Sequence, residues 1–236
     1  MTELLFRDAY LKTAEATVTG IDAEGRVLCD ASLFYPTGGG QPGDTGTLTW
    51  EAGAARVTDT VKGEGGAVAL VIEGDTPPVG AKVTQTLDWD RRFTHMRIHT
   101  ALHLLSVVIP LPVTGGAISV EKGRLDFDMP EAPEDKQALE DQLNALIARD
   151  LAVSEDWITD DELAANPGLV KTMSVKPPMG QGRVRLVRIG AGEGQVDLQP
   201  CGGTHVARTA EIGPVRLGKI EKKGKQNRRV SLHLAD

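Results

Sequence analysis

The sequence predicts an α+β chain in two parts: a small β-barrel over residues 1–88, then, over residues 89–236, a domain with helices packed on an antiparallel sheet. Three observations predict it. Short runs alternating apolar and polar residues, cut by Gly, Pro and Asp, fill the first part. A helical period begins abruptly after Asp90-Arg91-Arg92, and a second helical pattern follows among further strand-like runs. At 236 residues the chain can bury a core for one large or two small domains, and the change of period at about residue 88 favours two.

In the first part, Ala16–Ile21, Arg26–Cys29, Gly46–Trp50 and Val68–Ile72 read as strands, and a small barrel is their natural closure. Between them, Phe34 to Gly46 holds five glycines in thirteen residues, Gly38-Gly39-Gly40-Gln41 at its centre. Such a run serves either a tight barrel turn or the close approach of backbone N–H groups to a ligand such as a phosphate or a nucleotide end. Val83–Trp89 completes the strands. Then Ile98, Leu102, Leu105 and Ile109 form an apolar helical stripe beside a second stripe of His95, His99 and His103, and Pro110 and Pro112 end the helix.

Gly115–Val120 and Arg124–Asp128 read as a hairpin about a turn at Glu121-Lys122-Gly123. Pro130 and Pro133 introduce a second helix with Glu134 and Asp135 in its first turn and Leu139, Leu143, Leu146, Ile147 and Leu151 at core spacing. Ala152–Ile158 suits a strand, Asp160–Ala165 a short helix, and Arg183–Ile189 and Gly194–Leu198 two more strands. No internal repeat and no low-complexity segment is visible.

The chemistry centres on His99-Thr100-Ala101-Leu102-His103, where two imidazoles four residues apart on a helix share a face. A matching spacing recurs in Cys201-Gly202-Gly203-Thr204-His205, so three of only five histidines and one of two cysteines form a His, His, Cys, His set. Nitrogen and sulfur donors suit Zn2+, whereas Mg2+ would favour carboxylates. No glutamate stands beside the first histidine, which removes the zinc-peptidase motifs. Four protein donors equally suit a purely structural zinc. His95 reads as a surface or structural residue ahead of a substrate-facing group, His233 as incidental, and Cys29 as a small buried hydrophobe ahead of a nucleophile.

The formal charge of −7 argues against indiscriminate coating of nucleic acid, yet Lys219, Lys222, Lys223, Lys225, Arg228 and Arg229 stand together against one acid, Glu221. That run reads as a solvated edge or, beside a metal site, as phosphate contacts. No apolar run approaches the roughly 20 residues that span a bilayer, the first residues lack a secretory pattern, and cysteine is sparse, so a cytoplasmic setting is expected.

Phe34 to Gly46, His99-Thr-Ala-Leu-His103 and Cys201-Gly-Gly-Thr-His205, in that order and spacing, resemble the editing domain of alanyl-tRNA synthetases. More closely, they resemble the free-standing alanyl-tRNA editing proteins called AlaX, in their medium-length form. The resemblance implies hydrolysis of wrongly charged tRNA(Ala), the seryl form first and the glycyl form second, as trans-editing. It implies one Zn2+ per chain at His99, His103, Cys201 and His205, and a translation-factor-like barrel ahead of a zinc-containing editing domain. Where the family often has Ser-Gly-Gly-Gln, this chain has Thr37 ahead of Gly38, Gly39, Gly40 and Gln41, so a role tied to that serine does not transfer.

The physics agrees, because one hydroxyl or methyl changes binding by only about 1–3 kcal/mol and a second hydrolytic site can supply the missing discrimination. Thr114 and Ser119 are the hydroxyl candidates for recognising a seryl group, and Lys222, Lys223, Lys225, Arg228 and Arg229 for holding tRNA. Two other readings keep the same residues: a non-catalytic zinc-stabilised tRNA-binding module, and a zinc hydrolase of a small ester or amide.

Overall fold

The computed structural model describes residues 2–172 and 182–235. The chain forms two compact units, Met1–Thr94 and His95–Asp236.

Alternation of apolar and polar residues builds the first unit from eight strands: β1 (Glu3–Leu4), β2 (Thr13–Ile21), β3 (Val27–Cys29), β4 (Ala31–Ser32), β5 (Gly46–Trp50), β6 (Gly53–Lys62), β7 (Val68–Gly74) and β8 (Lys82–Leu87). Six of them close into a barrel in the order β2-β3-β7-β6-β5-β8, each pair antiparallel. Val18, Val27, Leu48, Val57, Leu70 and Val83 fill its interior. Two short segments, β1 and β4, pair in parallel outside it.

The strand that the sequence pattern passes over is β6. Its inward residues are Ala55, Val57 and Thr60, and the register shifts between Val57 and Asp59, so a bulge slips the two-residue period by one. Buried Gln85 joins segment 31–33 to the barrel: its amide oxygen accepts from Leu33 N at 2.8 Å and its amide nitrogen donates to Ala31 O at 2.9 Å.

The glycine-rich segment is a tight hairpin in this unit. Gly38 and Gln41 bridge, with Gln41 N donating to Gly38 O at 3.0 Å and Gly38 N to Gln41 O at 3.0 Å. The two central residues, Gly39 and Gly40, have φ of +59° and +84°, the left-handed pair that a two-residue hairpin turn demands. A Cβ at Gly43 would overlap the Thr60 carbonyl, and one at Gly46 would lie 2.8 Å from the Phe34 ring. The Asp44 carboxylate accepts Tyr35 N at 2.6 Å and the guanidinium of fully buried Arg92, which also donates to Leu33 O at 3.0 Å. Buried charge is tolerated there only because both partners are present.

Helix α1 (Trp89–Val108) starts earlier than the periodicity suggests. Asp88 accepts the Arg91 N–H at 3.3 Å as an N-cap, so Trp89 belongs to the helix and not to the last strand. Every residue from Ile98 to Ser106 is buried, so α1 is wrapped on all sides where two stripes were expected.

The remainder of the second unit comprises β9 (Val113–Ile118), β10 (Gly123–Asp128), α2 (Lys136–Ala148), β11 (Val153–Thr159), α3 (Asp160–Ala165), β12 (Arg183–Ile189), β13 (Asp197–Pro200), β14 (Val215–Leu217), β15 (Glu221–Lys222) and β16 (Asn227–Leu234). One antiparallel sheet runs β14-β16-β10-β9 with β15 on β16, and a second runs β11-β12-β13. Strands therefore dominate, more than an even α+β mixture implies. The strand β10 lies directly on α1: a Cβ at Gly123 would meet Ile98 Cγ2 at 2.5 Å and Leu102 Cδ1 at 3.1 Å.

Helix α2 begins at Lys136, with Asp135 capping it through the Ala138 N–H at 2.9 Å. Of the five apolar positions expected to pack, only Leu143 and Ile147 are buried. Its polar residues instead close the free edge of β14: Asn144 donates to Val215 O and accepts from Val215 N, both at 2.9 Å, and Glu140 accepts Leu217 N at 2.8 Å. Among the described residues no helix is long and apolar enough to cross a membrane.

Candidate metal centre

His99 and His103 stand one turn apart on α1, and Cys201 and His205 lie on the loop that leaves β13. Alternation along β13 buries Asp197 and Gln199 on one side, and Cys201 continues that two-residue period. The loop is braced from behind. Arg185 of β12 donates to Cys201 O at 2.9 Å and Gly203 O at 2.8 Å while pairing with Glu155 at 2.6 Å.

One donor atom from each of His99, His103, Cys201 and His205 lies within 4.8 Å of all the others. Cys201 Sγ is 3.4 Å from His99 Nε2 and 3.3 Å from His205 Nε2. Zinc bonds of about 2.3 Å to sulfur and about 2.05 Å to nitrogen give a tetrahedral S···N edge of about 3.6 Å, so the observed edges match that ion's size. Three imidazoles and a thiolate also fit its taste in donors. The four residues singled out by spacing are thus brought together, and they can hold a metal ion.

Surrounding hydrogen bonds fix which nitrogens face inward. Thr100 Oγ1 donates its only proton to Met96 O at 2.9 Å and accepts Val206 N at 3.2 Å. Toward His205 Nδ1, 3.2 Å away, the same oxygen is therefore an acceptor, which leaves His205 protonated on Nδ1 with Nε2 toward Cys201. His103 Nδ1 lies 3.0 Å from Asp197 Oδ2. Asp197 also accepts from Lys171 Nζ at 2.6 Å and from Gln199 Nε2 at 2.8 Å.

Electrostatics follow from that packing. Burial pushes the Cys201 thiol up, but the neighbouring imidazoles, His99 foremost, outweigh it and hold the thiol well below its usual range. Burial depresses His205, and His99 beside it depresses it further. Burial also acts against a charged His103, yet the Asp197 and Cys201 contacts prevail and raise it to about 9. Asp197, opposed by burial, is held to about 2 by His103 and Lys171. Cys29 is different: burial, with Asp30 beside it, pushes its thiol up to about 12, the inert residue its strand position suggests.

Other sequence candidates sit elsewhere. Gly39 and Gly40 are exposed at the hairpin tip, whereas Gln41 is fully buried, so its side chain is interior. Thr114 Oγ1 is 3.1 Å from Asp126 O and 2.9 Å from Asn227 Oδ1, and Ser119 Oγ organises the β9–β10 turn through Lys122 O at 3.1 Å; both hydroxyls are spent on the sheet. In the basic run, Arg229 pairs with Asp126 at 2.7 Å, Arg228 donates to Pro130 O at 2.7 Å and Lys223 pairs with Glu221 at 2.7 Å. Lys222 and Lys225 are exposed. His95 is fully buried and not a surface residue.

The residues that spacing alone overlooks are Thr100, Asp197, Gln199, Lys171 and Arg185. Thr100 lies inside the HTALH stretch, and Asp197 shares Cys201's strand period, so a signal existed for these two.

Residues 184–231 match the family described as the threonyl and alanyl tRNA synthetase second additional domain, and residues 6–91 match class II (A) tRNA synthetases. The alanyl-tRNA editing protein AlaX-M of Methanosarcina barkeri (strain Fusaro / DSM 804) is 36% identical over 247 residues, covering 100% of both chains. That of Saccharolobus solfataricus is 36% identical over 234 residues, 97% of this chain and 96% of that one. The alanine–tRNA ligase of Pyrobaculum calidifontis is 34% identical over 229 residues, 93% of this chain but 25% of the ligase. The chain thus spans about a quarter of the ligases it matches, and the full length of free-standing proteins. With the motifs, the donor cluster and these full-length similarities in agreement, the chain belongs to the alanyl-tRNA editing proteins of the AlaX-M family.

Proposed function

We propose that this protein is a trans-editing hydrolase that cleaves the aminoacyl ester of mischarged tRNA(Ala), Ser-tRNA(Ala) first and Gly-tRNA(Ala) second. The observation that carries it is the convergence of His99, His103, Cys201 and His205 in a chain similar over its full length to AlaX-M proteins. We assign one Zn2+ per chain to these four residues, on the size and donor match given above. When bound, zinc supplies a Lewis acid or an anchor for the substrate's amino or carbonyl group.

The chain's own residues do the rest. His103 and His205 present Nε2 inward, and Cys201 offers a thiolate that Gly203 N supports from 3.4 Å. In this reading residues 1–88 serve tRNA and residues 89–236 serve the ester. The exposed tip of the glycine hairpin, Gly39 and Gly40 beside Gly38, suits contact with the acceptor end, and Lys222 and Lys225 are the members of the basic run best suited to phosphate. Its substrate places the protein in the cytoplasm.

The test is deacylation of Ser-, Gly- and Ala-tRNA(Ala) by zinc-loaded and chelator-stripped protein. Turnover of the seryl form, spared Ala-tRNA(Ala) and loss of rate on stripping support the proposal. Binding of tRNA without turnover in the loaded protein would make it a zinc-stabilised binding module.

A further inference from the structure

We propose that Asp197 is a positioning residue for the metal centre, holding His103 with Nδ1 protonated so that the Nε2 lone pair points at the other three donors. The role rests on the zinc assignment made above and adds a residue that the ligand motifs do not contain.

The geometry separates Asp197 from an ordinary buried carboxylate. Its side chain is fully buried, and its two oxygens do different things. Oδ2 receives His103 Nδ1 at 3.0 Å and Gln199 Nε2 at 2.8 Å, while Oδ1 receives Lys171 Nζ at 2.6 Å. Lys171 is 28% exposed, so the neutralising cation has a route to solvent, whereas the oxygen facing His103 has none. Gln199 is itself buried and close to Ser106 Oγ at 3.4 Å, which in turn donates to His103 O at 2.7 Å. The imidazole is thus held at Nδ1 by Asp197, whose carboxylate is itself fixed by Gln199 and Lys171, while Ser106 ties the same helix turn through the His103 backbone carbonyl. An acidic acceptor on the far nitrogen also makes Nε2 a better donor, because it stabilises the positive charge that ligation draws onto the ring.

His205 is held differently, by the neutral Thr100 hydroxyl. The two imidazoles are therefore unequal ligands: His103 has a carboxylate behind it and His205 a hydroxyl.

The test measures zinc affinity by competition with a chromophoric chelator on full-length protein, with Co2+ absorption spectra reporting ligand geometry. Asp197→Ala should weaken zinc roughly 10–100-fold. Asp197→Asn, which retains an acceptor for Nδ1 but not the charge, should recover part of that loss, and Lys171→Met should stay within about threefold of wild type, since it leaves the His103 contact intact. Circular dichroism of the metal-free proteins checks folding, and Asp197→Asn stands in should Asp197→Ala not fold. Unchanged affinity in folded Asp197→Ala would overturn the role, as would an equal loss in Lys171→Met, which would make the network merely structural. A wild-type protein that takes up no zinc would remove the metal assignment itself. One that binds zinc indifferently to residue 197 would remove this role alone.

Discussion

Replacing Thr100 by valine tests the hydrogen bonds that orient His205, because the change keeps the shape and removes one oxygen. That oxygen accepts Val206 N–H and His205 Nδ1–H, each at 3.2 Å, on a residue fully buried in α1. Losing it leaves two buried donors unsatisfied. At 3.2 Å these are weak bonds, so the low end of the range applies, about 1–1.5 kcal/mol each and about 2–3 kcal/mol together. For a chain of this size that corresponds to a melting temperature lower by roughly 4–12 °C. Thr100→Ser keeps the oxygen, sheds one methyl and should cost about 1 kcal/mol. Thermal unfolding followed by circular dichroism in excess chelator isolates this from any metal contribution. A second measurement, zinc competition, should show weaker binding in Thr100→Val, because the acceptor that orients His205 is gone. A metal-free Thr100→Val protein within about 0.5 kcal/mol of wild type would refute the acceptor role and the tautomer drawn from it.

Three further outcomes follow from the same geometry. Gly123→Ala should destabilise by about 1–3 kcal/mol because its methyl would meet Ile98 Cγ2, and adding Ile98→Ala should recover part of the loss in a double-mutant cycle; simple additivity would argue against the contact. Asp126→Asn should cost about 1 kcal/mol at pH 7; Arg229 holds the carboxyl below its ordinary value, so the pair's contribution is full above about pH 4 and fades as pH falls through the lower folded value, and the gap between wild type and variant in chemical denaturation should narrow in acid. Changing Lys222 and Lys225 to alanine together should flatten the log–log salt dependence of tRNA binding by roughly 1.5, whereas Arg229→Ala should spare the slope and lower stability; an equal slope change for both would show that Arg229 also reaches phosphate.

How far the sequence is legible depends on how local the cause is. His99 and His103 are readable because a helix fixes the i, i+4 relation within five residues, and Cys201 and His205 because the same spacing repeats on a short loop. Strands with clean alternation, such as Gly46–Trp50 and Gly123–Asp128, are readable for the same reason. A bulge in β6 defeats that logic, since one extra residue reverses which side chains face inward. Helix α2 defeats it differently: its apolar spacing suggests a buried face, but Asn144 and Glu140 are committed to the edge of a strand about 70 residues on, a partner no local pattern contains.

The basic run carries the same lesson into function. Read linearly, residues 219–229 set six cations against one acid, an excess that invites phosphate. In the sheet, β16 lies against β10, and register places Arg229 opposite Asp126, an acid 103 residues away. Arg229 binds that carboxylate through two nitrogens, at 2.7 and 2.9 Å, and so spends its fork on a neighbour within the fold. Strand pairing therefore decides which charges a partner can meet. The cations that retain their reach are the exposed ones that strand pairing leaves outside such ion pairs: Lys219 ahead of short β15, Lys222 on it, and Lys225 beyond it.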